Sequence, residues 1–353
     1  MVTCRELVDE VSRVVVTFLS WASGLALVGY LAARFAIGDR FWAVALMSNF
    51  AICCFLPLLI LIPLGLVTRS RSGLLIVLPL AAIGMLSFAP ITLPRTITPT
   101  ETRTLRVVTF NVYQANDRLD AVSGWLESTG ADLIFLQEAP DDYIETLNDR
   151  FAGSYPYRAA QLSPESPWGN LLLSRFPILD TENLDETGDG SPNTQQRYLL
   201  DVDGQNLAVY NVDLAFPVGQ VRFQIPLLSA PLNTLVAGYD ATTRDYQIER
   251  LISRVSEEPQ PFIVAGDFNM SSSTLIYNQL AAHMNDAFLN AGSGFGGSWP
   301  VPAAGTLFPS FIPPLLRVDY IWYSDHFRAI EAEQGPRLGS DHLPLLAVLE
   351  TAP

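Results

Sequence analysis

Two short stretches near the C-terminal end hold residues able to do chemistry: Gly266-Asp267-Phe268-Asn269 and Ser340-Asp341-His342, with Asp319 between them at the head of an apolar run. Each lies at the edge of a β-like segment, where a sheet can aim several carboxylates at one point. Hard divalent cations are held by such converging oxygens, with positions left open for water and phosphate. Phosphoester hydrolysis needs an activated water, neutralised charge and a stabilised leaving oxygen, which a carboxylate cluster with one His and one Arg can supply. Arg175 is either a bidentate clamp on a phosphate oxygen or a structural ion pair. Asn170, in Trp168-Gly169-Asn170, reads as structural before it reads as part of a site rim. Taken singly the residues decide little: Asp319 could be a strand-end charge and His342 a satisfied core histidine, and His283 and His326 read as surface positions.

The elements that must position these groups alternate in type. Short apolar, β-rich runs fall at 105–111, 132–138, 169–174, 197–202, 206–212, 261–266, 318–323 and 345–350. Helical spacing marks 119–126, with Gly130 as a stop signal, then 141–151, 241–255 and 273–283. Alternating helices and strands with several hairpin-like pairs predict a mixed sheet sandwich covered by helices. The 213–244 stretch is too long for an ordinary connection, and its Phe216, Phe223, Leu227, Leu228 and Leu232 suit a membrane contact, a lid or a lipid-like substrate as well as a packed loop.

In front of this lie three apolar stretches, 14–34, 41–67 and 74–93, each near the roughly 20 residues a helix needs to cross a bilayer. They predict a multi-pass membrane segment over 1–94, a Pro- and Thr-rich linker over 95–103 and a large domain from 104 to 353. The lipid bilayer is the partner this implies; no protein partner is evident. Loop charges are too evenly spread to orient the spans, and long domains translocate largely regardless of charge, so the large domain is expected outside the cytoplasm. Residues 95–353 carry fifteen Arg, 32 acids and no Lys, a net charge of −17. That balance opposes nonspecific binding to nucleic acid, which needs a basic face. Cys4, Cys53 and Cys54 all precede the large domain, which therefore has neither disulfides nor thiolate metal ligands.

Asn111, Gln137-Glu138, Ser174-Arg175, Gly266-Asp267-Phe268-Asn269, Val318-Asp319-Tyr320-Ile321 and Ser340-Asp341-His342 stand in one order. That order resembles the endonuclease/exonuclease/phosphatase superfamily with the DNase I-like fold, over residues 104–351. The resemblance implies a four-layer α/β sandwich and a Mg²⁺- or Mn²⁺-dependent phosphodiesterase or phosphatase. In that pattern Glu138 is the principal metal ligand, with Asn111 and Asp341 completing the cage. Asp267 orients or deprotonates the water, Asn269 donates to phosphate or water, and His342 contacts the phosphate with Asp319 behind it. The chain departs from the pattern at Tyr210-Asn211-Val212-Asp213-Leu214, where Asp213 replaces an expected His. Asp213 is then a protonated acid, a second-metal ligand, or the mark of an impaired enzyme. The reading is a membrane-anchored metal-dependent phosphoester hydrolase acting on a phospholipid head group or a nucleic acid. The alternative is a pseudoenzyme that binds lipid or a partner through the same cleft.

Overall fold

Strand directions decide where the functional residues go. The computed structural model describes residues 4–92, 103–162, 166–184, 195–303, 306 and 312–352. The chain divides into two compact units, Met1–Thr92 with Ser273–Leu275, and Leu93–Ser272 with Ile276–Pro353.

The first unit holds α1 (Cys4–Ile37), α2 (Trp42–Asn49), α3 (Ala51–Val67) and α4 (Arg71–Thr92). Two stretches, Glu6–Arg40 and Arg71–Phe88, are helices long and apolar enough to cross a membrane. The stretch expected as one helix over 41–67 is instead a pair, α2 and α3, bent by 66°. Ser48 and Asn49, weak helix formers, close α2, and Phe50 leaves helical dihedrals at φ −105°, ψ 29°. Inside the unit Leu27, Leu58, Leu61, Val77 and Leu80 pack together. Gly24 lies against Ile76 and Gly65 against Leu74, so small residues let the helices approach. Outward, Leu59, Ile60, Leu75, Met85 and Leu86 are exposed, a surface that water would penalise and lipid would not.

The second unit has twelve described strands: β1 (Thr104–Asn111), β2 (Leu133–Pro140), β3 (Tyr157–Leu162), β4 (Trp168–Ser174), β5 (Ile178–Leu184), β6 (Gln195–Val202), β7 (Gln205–Asp213), β8 (Phe262–Asp267), β9 (Asn285–Asp286), β10 (Asp319–Tyr323), β11 (Phe327–Gln334) and β12 (Leu345–Thr351). They form two six-stranded sheets, ordered β11-β12-β1-β2-β4-β3 and β5-β6-β7-β8-β10-β9. Helices α5 (Leu119–Thr129) and α6 (Asp141–Arg150) cover the first, burying Val122, Leu126, Ile144 and Leu147 with Phe110, Ile134 and Leu136. Helix α5 stops at Gly130, whose φ of 61° is the left-handed cap that the sequence places there. Helices α8 (Thr242–Glu257) and α9 (Leu275–Ala281) belong to the second sheet, whose core joins Ile248, Leu251, Ile276 and Leu280 to Tyr210, Val264 and Trp322. The short α10 (Ala287–Ala291) is capped by Asp286. This is the expected α/β sandwich with a DNase I-like arrangement of two mixed sheets.

The sheets are stapled by buried amides. Gln137 Nε2 donates to Asn211 Oδ1 at 2.7 Å, and Asn211 Nδ2 donates to the carbonyls of Leu136 and Leu171. Asn170 Nδ2 donates to Gln196 Oε1 at 3.1 Å, which gives Asn170 the structural role expected for it. The long 213–244 segment folds on itself around α7 (Ala230–Ala237): Val218 bridges Tyr239, and Arg222 donates to the Tyr239 carbonyl.

Candidate active site

Parallel pairing of β1 with β2 sets Asn111 beside Gln137, and parallel pairing of β7 with β8 sets Asp213 beside Asp267. Strand β10 runs antiparallel to β8 with Asp319 opposite Asp267, and β12 runs antiparallel to β1, so residues 340–342 enter at the same end. Four strand ends and two strand starts thereby deliver their polar residues to one place. Gly266 makes the closest approach possible: its φ is +152°, and an added Cβ would collide with the Val212 backbone.

At the centre His342 Nδ1 lies 2.8 Å from Asp319 Oδ2, and His342 Nε2 faces Asp267 Oδ2 at 3.7 Å and Asp341 Oδ1 at 4.0 Å. The Ser340 hydroxyl donates to the Asn111 carbonyl and accepts from the His342 backbone N–H, fixing the turn that carries the ring. The Ser298 hydroxyl accepts from the Val318 and Asp319 N–H groups. Asn111 Nδ2 bridges Glu138 Oε1 at 3.0 Å and Asp267 Oδ2 at 3.1 Å, while its Oδ1 accepts from Tyr113 N–H. Asn269 N–H donates to Asp267 Oδ1 at 2.8 Å, and Asn269 Nδ2 to the Leu214 carbonyl. Behind it the buried Arg244 donates to the Asn269 carbonyl. Six described non-glycine residues have positive φ, and three of them, Tyr113, Glu138 and Asn269, are in this cluster. Strain of this kind, about 1–3 kcal/mol per residue, persists where surrounding structure over-determines it, commonly at functional sites.

The electrostatics follow from burial of like charges. Burial pushes the Asp267 carboxyl up to about 7; His342 pulls it down and Asp319 pushes it further up. Burial likewise raises Glu138, with Asp341 adding to the rise while Asn111 and His342 oppose it. Asp341 is raised by burial and held back by His342 and a hydrogen bond from the Trp299 side chain. For His342 burial disfavours the cation, yet Asp319 and Asp267 outweigh it and hold the imidazole well above its ordinary value.

The structure thus gathers Asn111, Glu138, Asp213, Asp267, Asn269, Asp319, Asp341 and His342, but not Arg175. Strand β4 runs antiparallel to β2 with Ser174 opposite Leu133, so Arg175 emerges at the other end of the sheet. There it pairs with Asp132 at 3.2 Å and lies over the Tyr155 ring. Arg175 thus makes an ion pair, the other role its sequence position offered, away from the carboxylate cluster. Asn111 turns its amide nitrogen to the carboxylates and ties Glu138 to Asp267. Sequence reasoning missed Ser298, Trp299, Tyr113 and Arg244. Only Tyr113, two residues beyond Asn111, had a signal in the chain.

A family model for the Endonuclease/Exonuclease/phosphatase family matches residues 108–342. The chain belongs to that family. It is 25% identical to the uncharacterized protein YbhP of Escherichia coli K12 over 276 residues, covering 70% of this chain and 97% of that one. An endonuclease/exonuclease/phosphatase from Bacteroides vulgatus shares the fold at TM-score 0.55 and 17% identity, covering 71% of this chain and all of that one. D. rerio TDP2 in complex with a single strand DNA product superposes at TM-score 0.54 and 16% identity, covering 70% of this chain and 99% of that one.

Proposed function

We propose that this chain is a divalent-metal-dependent phosphoester hydrolase held at a membrane by its N-terminal helices. The observation that carries the reading is His342, paired with Asp319 on one side and facing Asp267 on the other, beside Glu138 and Asp341. Asp267, Asp319 and His342 offer donor atoms within 4.8 Å of one another. They are poor candidates for a cation site, because the ring gives Nδ1 to Asp319 and its raised pKa favours a charged form that cannot ligate. Glu138 and Asp341 fit better: two half-buried carboxylates, with Asp341 raising the Glu138 carboxyl, form an oxygen donor set that would hold Mg²⁺ or Mn²⁺. A bound cation would supply Lewis-acid neutralisation of phosphate charge.

The chain's own residues do the rest. Asp267, with its carboxyl near neutrality and one oxygen fixed by Asn269 N–H, takes the proton of the attacking water. The water oxygen bonds to phosphorus, the ester P–O bond breaks, and the departing oxygen takes a proton from solvent. The His342 imidazolium donates from Nε2 to a phosphate oxygen, and its charge is favoured by Asp319. Asn111 and Asn269 act as positioning residues.

The other reading, a binding module that retains the fold, rests on Asp213. It is buried and in register with Asp267, a carboxyl side chain at the position where the family pattern has a histidine. One experiment separates the two: hydrolysis of bis-p-nitrophenyl phosphate, plasmid DNA and mixed phospholipids by the purified full-length protein. Turnover is expected with Mg²⁺ or Mn²⁺, to vanish in EDTA, and to fall about 100-fold or more in Glu138→Gln, since losing even a partner behind a metal ligand costs about 10–100-fold. Metal-independent turnover, or none on any substrate, contradicts the hydrolase reading.

A further inference from the structure

Beside the carboxylate cluster opens a cavity of about 680 Å³, within the size range of small-molecule sites. Its near wall is continuous with the site. Tyr113 lies two residues beyond Asn111, and Trp299 hydrogen-bonds Asp341 through its side chain. Phe216, three residues beyond Asp213, meets the Trp299 ring edge-on at 6.3 Å between centroids. The far wall is α7, through Leu232 and Leu235. The 213–244 segment thus builds an apolar slot against groups that touch the candidate metal ligands. Among the described residues that line the slot none is basic.

The same segment also presents apolar side chains to solvent: Phe216, Val221, Phe223, Leu227 and Leu232 are all exposed, Leu227 completely. Such residues along one stretch beside a cleft mark contact with an apolar ligand or surface. A polyanion is a poor occupant. Nonspecific recognition of single strands combines aromatic platforms with a positively charged groove, whereas residues 95–353 carry a net charge of −17 without a single Lys.

We propose that this slot holds an alkyl chain of the substrate, which makes the substrate a lipid phosphoester with its phosphate at the carboxylate cluster and its chain against Phe216, Trp299 and Leu232. The proposal rests on the hydrolase reading and names its substrate class. Each methylene buried adds favourable transfer energy, so catalytic efficiency should climb with chain length while leaving group and phosphate stay the same.

The test uses full-length protein in amphipol with Mn²⁺ and four p-nitrophenyl phosphodiesters, each below its critical micelle concentration. Their second ester group is ethyl, hexyl, decyl or thymidine. The expected result is a rise in kcat/KM of roughly tenfold from ethyl to hexyl, and a further rise to decyl. Leu232→Asp should flatten that rise, and Leu179→Ser, on the exposed face of β5 away from the slot, should keep it. Equal kcat/KM for ethyl and decyl, a preference for the thymidine ester over decyl, or an unchanged chain-length series in Leu232→Asp overturns the proposal while leaving the hydrolase reading intact. No turnover of any of the four ends the hydrolase reading and this proposal with it.

Discussion

In the proposed reaction His342 works as a cation only while its ring stays charged, and the charge is supported from behind. Burial works against it, and the Asp319 carboxylate 2.8 Å away does most to overcome that. Replacing Asp319 with Asn removes the partner, so the ring loses its proton at lower pH. The alkaline limb of the kcat–pH profile should therefore shift toward acid, and kcat at neutral pH should fall about 100-fold, the low end of general acid–base contributions. An unchanged profile in Asp319→Asn would mean that the pair is structural. The types of these residues were legible in the chain because each stands at a strand end. Their partnerships were less so. Nothing local tells that Asn111 offers nitrogen and not oxygen, since the choice depends on Glu138, Asp267 and the Tyr113 N–H, which meet only in the fold. Trp299 and Ser298 lie in a Gly- and Pro-rich stretch with no periodicity, and only the folded chain shows them holding Asp341 and Asp319.

Strand direction is what the sequence expressed least clearly and the site depends on most. Runs at 169–174 and 261–266 look alike as β segments, yet β8 delivers Asp267 to the site and β4 carries Arg175 away from it. The amphipathic helices and most strands were readable from periodicity. None of the four edge strands, β3, β5, β9 and β11, was: β3 and β5 are mostly exposed or intermediate, β9 is two residues long, and β11 is broken by a bulge. The bent pair α2 and α3 also escaped, because uniform hydropathy masks a break at Phe50. The β7–β8 contact offers a direct check on what places Asp267. Gly266→Ala puts a Cβ into the Val212 backbone at a φ that L residues rarely adopt. It should lower stability by at least ~2 kcal/mol, measured by thermal unfolding with Val264→Ala as a core-packing comparison. A wild-type Tm for Gly266→Ala would show that the strands have room to separate there, contrary to this description.

For the molecule as a whole, an acidic family domain shares its chain with helices whose outward apolar residues suit lipid. The protein is expected to sediment with membranes and to resist alkaline carbonate extraction; release by carbonate would place those helices in a soluble bundle or an oligomer. The expectation that the large domain lies outside the cytoplasm predicts that external protease degrades it in intact host cells freed of any outer wall; protection would contradict that orientation. In the proposed reaction Asp267 activates water for attack on a phosphoester at a Glu138 and Asp341 cation site. The most direct measurement is Mn²⁺-dependent hydrolysis of bis-p-nitrophenyl phosphate by full-length wild type and Asp267→Asn. In Asp267→Asn kcat should fall about 10³-fold or more while the Mn²⁺ concentration for half-maximal rate stays within a few-fold of wild type. An Asp267→Asn enzyme that turns over at the wild-type rate would contradict this role for Asp267.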